Sequence, residues 1–211
     1  MSDNKIELSC IDCASGSCDA KGGLFPDFCQ SRNLDQKLLK EAMDIYIEDQ
    51  DTYAIMEAAA EVECENYCKM TRIEEIAEFA HKINARKLGI ATCVGLLGEA
   101  RTAAKILRHK GFEVFGVACK IGTQTKTSIG LDEKHNEIGL NMCNPVLQAK
   151  LLNSKETDLN IVVGLCVGHD SLFYKHSDAL CTTLVTKDRV LGHNPAAALY
   201  QANTYYSKLL K

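Results

Sequence analysis

Eleven cysteines in a chain of 211 residues sort into groups whose spacing suits metal ligation or thiol chemistry better than bridging. The first group is Cys10-x2-Cys13-x4-Cys18-x10-Cys29. A C-x2-C pair lets two sulfurs of one turn reach the same ion, and four thiols in one short arm make a complete donor set. The second group is dispersed. Cys93, Cys119 and Cys166 each follow an apolar run that reads as a strand, and Cys143 stands just before Asn144-Pro145 and a helix. In an open parallel sheet the carboxyl ends of the strands share one edge, where ligands bind. Three sequence-distant cysteines would then emerge together, with the fourth at a helix start facing them. Helix N-termini favour the thiolate that ligates metal or attacks a substrate. Cysteine is also an ordinary core residue, so the separation of the sulfurs distinguishes a shared site from packing. Cys64 and Cys68, at i and i+4 on a predicted helix, suit a face packed on the sheet, with a third site as the alternative. Cys181 falls in the last predicted strand and receives no role.

Spacing alone leaves the metal open. Bacterial ferredoxins use C-x2-C-x2-C with proline after the fourth cysteine, and zinc sites place two close pairs far apart; the arm matches neither. Eight thiolates without an evident histidine ligand give soft, all-sulfur sites, which favours two iron–sulfur clusters. One would lie in the arm and one in the crevice. Structural four-cysteine zinc is the alternative, and thiol or persulfide chemistry at Cys93 or Cys166 is the third reading. Around the crevice, Cys166-Val167-Gly168-His169-Asp170 and Lys187-Asp188-Arg189 supply polar groups. His169 would move a proton, Asp170 would orient it or cap a helix, and Arg189 would hold an anion. Helix capping by Asp170 and a hydrogen-bonded loop position for His169 explain the same residues without chemistry. Gly95 and Gly168 offer close backbone approach to a ligand, but neither the G-x-G-x-x-G fingerprint nor a P-loop is present, so no nucleotide is expected.

The elements that must position these residues follow from periodicity. Residues 1–32 contain the Gly22-Gly23 pair and Pro26 and carry no helical or strand period, so they read as a separate cysteine-rich metal-binding arm. Residues 33–85 read as a helical segment packing on the sheet. Asn33 with Gln36 resembles a capping box opening a helix over about 34–49. Thr52 would cap a second helix to about Cys68, and Thr71-Arg72-Ile73-Glu74 a third through Ile83. From 86 to 211, short apolar runs at 88–92, 113–118, 160–165 and 179–185 alternate with helical stretches at 97–110, 145–153 and 170–176. A last helix follows Asn194-Pro195. Alternation of this kind predicts a small doubly wound, Rossmann-like α/β sheet of four or five parallel strands. Residues 120–142 show no clear element.

Composition narrows the class. With 46% hydrophobic residues, three prolines and no tryptophan, a chain this long buries roughly 70% of its unfolded surface and needs no disulfides for stability. A net charge of −4, with acids exceeding bases, argues against a nucleic-acid partner. The absence of a leader-like apolar run or a run near the roughly 20 residues of a membrane span predicts a cytoplasmic protein with reduced thiols. The expected partners are a small-molecule substrate and a redox partner, with homo-oligomerisation left open.

Taken together, Gly89-Ile90-Ala91-Thr92-Cys93-Val94-Gly95-Leu96, Cys143-Asn144-Pro145 with Gln148-Ala149, Gly164-Leu165-Cys166-Val167-Gly168-His169-Asp170, Lys187-Asp188-Arg189 and His193-Asn194-Pro195 resemble the bacterial and archaeal metal-binding family catalogued as domain of unknown function 1847. The resemblance covers nearly the whole chain. It implies a cysteine-bound metal, strengthens the shared-site reading of Cys93, Cys119, Cys143 and Cys166, and implies no particular reaction. The resulting expectation is an iron–sulfur protein with an electron-transfer or small-molecule reductive role.

Overall fold

A computed structural model describes residues 6–19 and 23–211, so Gly22 of the Gly22-Gly23 pair lies outside the described residues. The chain divides into two units, Met1–Glu57 and Ala58–Lys211. In the first unit, single 3-10 turns at Cys10–Asp12 and Ser17–Asp19 precede helix α1, Gln36–Glu48. Asp12 closes the first turn by accepting the Ser9 backbone N–H at 2.8 Å. Helix α2, Gln50–Asn66, begins in this unit and ends in the next.

Two expected caps are displaced. The N-cap of α1 is Asp35, whose carboxylate accepts the Lys37 N–H at 2.9 Å. Asn33 instead donates its amide to the carbonyls of Asp27 and Cys29, tying down the end of the arm. Helix α2 starts before Thr52, and Asp49 accepts both the Asp51 N–H and the Thr52 hydroxyl. A carboxylate outcompetes a neutral amide or hydroxyl at a helix start because it accepts the orphan N–H groups and complements the dipole. The expected box at the next helix, α3 (Arg72–Lys82), is present: the Thr71 N–H and hydroxyl both donate to Glu74.

The second unit holds a four-stranded, all-parallel sheet: β1 Lys87–Thr92, β2 Glu113–Ala118, β3 Leu159–Val163 and β4 Leu180–Val185, in the order β2-β1-β3-β4. The connecting helices are α4 (Leu97–His109), α5 (Pro145–Asn153) and α6 (His169–His176), and α7 (Ala196–Tyr200) follows the sheet. The Rossmann-like reading therefore holds with four strands. Right-handed crossovers place α4 on one face and α5 with α6 on the other. Strand β1 shows both faces: a Cβ on Gly89 would meet Leu152 of α5, whereas Ile90 and Thr92 lie beside Ala100 and Ala104 of α4. Its residues Leu88 to Thr92 are all buried, as a central parallel strand requires.

Strand order reverses between β1 and β3, so the crevice opens at their carboxyl ends. Strand β3 stops at Val163, two residues short of the expected end. Gly164 adopts φ +65° and passes so close to Leu96 that a Cβ would lie 2.5 Å from it. That turn moves Cys166 off the strand and into the loop before α6. The stretch 120–142, without a sequence reading, is an excursion between β2 and α5 built from an isolated bridge, Thr125 to Asn141, and two 3-10 segments, Thr127–Ile129 and Glu133–Ile138. The Lys126 ammonium binds it together by donating to the carbonyls of His135 and Gly139. No helix of the described residues is long and apolar enough to cross a membrane.

Candidate functional site

At the crevice, backbone hydrogen bonds carry the strand ladders into the loops that bear sulfur. The Cys93 N–H donates to Val163 O at 3.2 Å, and the Cys119 N–H donates to Thr92 O at 2.8 Å. Cys93 thus continues β1 and Cys119 continues β2. The loop before α5 is fastened by the Asn144 N–H, which donates to Cys119 O at 2.7 Å. This brings the Cys143 sulfur to 3.7 Å from the Cys119 sulfur. Gln148, fully buried on α5, donates its amide to Thr92 O at 3.1 Å and Val117 O at 2.7 Å. One side chain therefore clamps α5 to the ends of both strands that deliver cysteines.

Each sulfur has a distinct electrostatic setting. The Cys119 sulfur accepts the Val94 N–H at 3.4 Å. Contact with Cys143, followed by burial, nevertheless pushes the Cys119 thiol far up, while contact with Cys119 and then with His169 holds Cys143 well down against its burial. Of the two, Cys143 is the thiol whose ionisation its surroundings favour. Cys93 accepts the Gly95 N–H at 3.4 Å and a Lys187 Nζ–H at 3.3 Å. Burial raises Cys93, but the Gly95 amide and the Lys187 ammonium together outweigh it and leave the thiol lowered. Cys166 receives a 2.8 Å hydrogen bond from Arg189 Nη2. Lys187 and Arg189 flank Asp188, whose carboxylate accepts the Val190 and Leu191 N–H groups in the turn after β4. His193 Nδ1 accepts the Asp188 N–H and pins the same turn.

A cavity of about 670 Å³ opens over this edge, lined by Cys143, Cys166, His169 and Arg189 and walled by the 120–142 excursion. Asp170 accepts the Ser171 N–H at 2.8 Å, but the N-cap of α6 is Gly168 with no side-chain cap bond, so Asp170 neither caps the helix, nor bonds His169, nor lines the cavity. Gly95 lies where an added Cβ would be 3.5 Å from Lys187 Nζ, whereas Gly168 supplies a left-handed turn, φ +82°, into α6. Lys120, Lys126 and His135 also line the cavity and went unread in the sequence. The available signal was the length of the element-free stretch after β2, since long excursions in compact domains are commonly functional.

In the arm, Cys10, Cys13, Cys18 and Cys29 all line one cavity of about 100 Å³, together with Phe25 and Phe28. Cys13 is lowered, chiefly by a hydrogen bond with the Ser15 hydroxyl at 3.3 Å. Cys10 and Cys18 are exposed, and Cys13 and Cys29 are half-buried. Among the described residues, no three His, Cys, Asp or Glu side chains are placed to hold one metal ion. Cys64 and Cys68 are exposed, and Cys181 is half-buried on β4, where burial pushes its thiol up.

A family profile described as protein of unknown function (DUF1847) matches residues 29–184. That span contains Cys29, the four crevice cysteines and His169, and leaves out Cys10, Cys13, Cys18, Lys187 and Arg189. An uncharacterised protein of Methanocaldococcus jannaschii is 43% identical over 180 residues, covering 85% of this chain and 90% of the relative.

Proposed function

The chain belongs to the DUF1847 family of proteins of unknown function, and from its geometry we propose that it is a cysteine-ligated iron–sulfur protein with an electron-transfer role. The observation that carries this reading is the convergence of Cys10, Cys13, Cys18 and Cys29 on one cavity of about 100 Å³. Such a cluster, when bound, supplies one-electron transfer. The chain's own residues would supply an all-thiolate donor set, the Ser15 hydroxyl that favours the Cys13 thiolate, and Phe25 and Phe28 in the lining of the same space. Hydrogen bonds to sulfur and exclusion of water both set the potential of such a group.

A second reading applies to the crevice. Lys187 and Gly95 engage Cys93, and Arg189 engages Cys166, which supports thiolate chemistry on a small molecule there. The Cys119–Cys143 separation of 3.7 Å also suits neighbouring ligands of one tetrahedral ion, since zinc–sulfur bonds of about 2.3 Å imply a similar spacing.

Variants separate these readings. In protein purified without oxygen, Cys13→Ser with Cys18→Ser is expected to abolish a visible absorption that dithionite bleaches. Cys119→Ser with Cys143→Ser is expected to leave it. If the arm variant keeps the full spectrum, the assignment to the arm fails. If wild-type protein is colourless with stoichiometric zinc and no sulfide, the chain is a structural zinc protein.

A further inference from the structure

We propose that the crevice cavity binds a small organic acid, its carboxylate held by Arg189 and its apolar body lying against the 120–142 excursion. The inference is independent of whether the arm holds a cluster. A volume of about 670 Å³ lies in the range of small-molecule sites, which combine apolar walls with a few placed polar groups. The Lys and Arg side chains here outnumber the one acidic group favoured among the lining, the Cys143 thiol. Lys120, Lys126, His135, His169 and Arg189 line the cavity, and no described aspartate or glutamate does.

The Cys143 thiolate offsets part of this charge through Lys120 and His169, and Lys126 and Arg189 have no such partner among the described residues. Lys120 donates to Asn141 O, and Lys126 donates to His135 O and Gly139 O. These acceptors are neutral carbonyls, which orient an ammonium without neutralising it. Arg189 has one hydrogen-bond acceptor among the described residues, the Cys166 sulfur, and the rest of its fork of five N–H donors is unspent. A planar guanidinium with adjacent donors free is the side chain best matched to a carboxylate.

The walls decide the rest of the ligand. Ile129, Leu131, Ile138 and Met142 come from the excursion, and Val146 and Leu172 from α5 and α6. Inorganic phosphate would leave this apolar surface in contact with water, whereas an aliphatic or aromatic acid would cover it. Each methylene so covered contributes about 0.8 kcal/mol, a gain of about fourfold in affinity. A ligand in this position lies beside Cys143 and Cys166, the two sulfurs that line the same space.

The test uses the full chain and a set of simple probes in an NMR titration that follows the amides of residues 166–172. Hexanoate is expected to bind at least about tenfold more tightly than hexanamide, and affinity is expected to rise from acetate through butanoate to hexanoate. Arg189→Met is expected to erase the preference for acid over amide, and Arg189→Lys to retain part of it, with both variants melting like the wild type. Equal binding of hexanoate and hexanamide would show an apolar cleft without anion recognition and overturn the proposal. Phosphate or acetate binding as well as hexanoate would show a plain anion site and overturn it too. Absence of binding by every probe at millimolar concentration would do the same.

Discussion

At the scale of single residues, the crevice places sulfurs of similar intrinsic acidity in settings that separate them. Cys93 illustrates the balance: burial opposes its ionisation, and the Gly95 N–H and Lys187 ammonium prevail. Lys187→Met removes the charge and leaves burial less opposed. The expected outcome is a severalfold slower alkylation of Cys93 by iodoacetamide at pH 7 in metal-free protein; an unchanged rate would show that Lys187 does not activate the thiol. The same shift links to stability. Because Cys93 loses its proton more readily folded than unfolded, its contribution is present above the unfolded thiol pKa and is lost as pH falls through the lowered folded value. Cys143, lowered further, contributes with the same sign, while Cys119, raised, contributes with the opposite sign and loses its share as pH rises. The pair should therefore show one thiolate across the neutral range. Thiolate absorbance near 240 nm, compared between wild type and Cys143→Ser in pH 6–8 buffers, should fall by one thiolate in the variant, and no difference would show that Cys143 is not the favoured thiolate. The shared placement of Cys143, Cys166, His169 and Arg189 at one sheet edge was legible from residue types and spacing. The partners of the sulfurs were not, because Lys187 and Gly95 meet Cys93 only through the β4 turn and the β1 loop.

At the scale of elements, apolar periodicity located the four strands and the helices between them within a few residues, since buried parallel strands and amphipathic helices leave different periods. What failed was end chemistry. Asp35 and Asp49 displaced Asn33 and Thr52 as caps, and Gly164 ended β3 early, because competition among neighbouring polar groups and a close approach to Leu96 are decided by three-dimensional packing. The 120–142 excursion was illegible for a related reason: a lysine donating to distant carbonyls holds it together, and such bonds have no period. Two substitutions test the positioning elements. Gly89→Ala would place a Cβ 2.0 Å from Asn160 Oδ1, and Asn160 is buried and bonded to Thr157 and Ser177. A destabilisation of about 1–3 kcal/mol or more is expected in urea unfolding. Gln148→Leu removes two buried hydrogen bonds at the ends of β1 and β2, leaving Thr92 O with the Cys119 N–H and taking the amide from Val117 O, with an expected cost of about 1–3 kcal/mol. If either variant unfolds at the wild-type midpoint, the clamp or the close approach does not hold the sheet edge.

At the scale of the molecule, the chain carries cysteine sites in two different kinds of setting. Residues 58–211 contain the sheet and a core of Leu88, Ile90, Leu107, Leu159, Ile161 and Phe173, all essentially inaccessible to solvent. The arm has no buried residue in its two 3-10 turns, so local hydrogen bonds order it there, and the proposed cluster would add to them. Stripping the metal from full-length protein is accordingly expected to make the arm sensitive to limited proteolysis while the fragment containing the sheet persists. A single unfolding event that takes the arm and the sheet together would contradict that division. What the arm cysteines bind is read most directly from the iron, acid-labile sulfide and zinc content of protein purified without oxygen. The account predicts iron and sulfide in near-equal amounts, lost together in Cys13→Ser with Cys18→Ser. Stoichiometric zinc without sulfide, or neither metal at any stage, would contradict it.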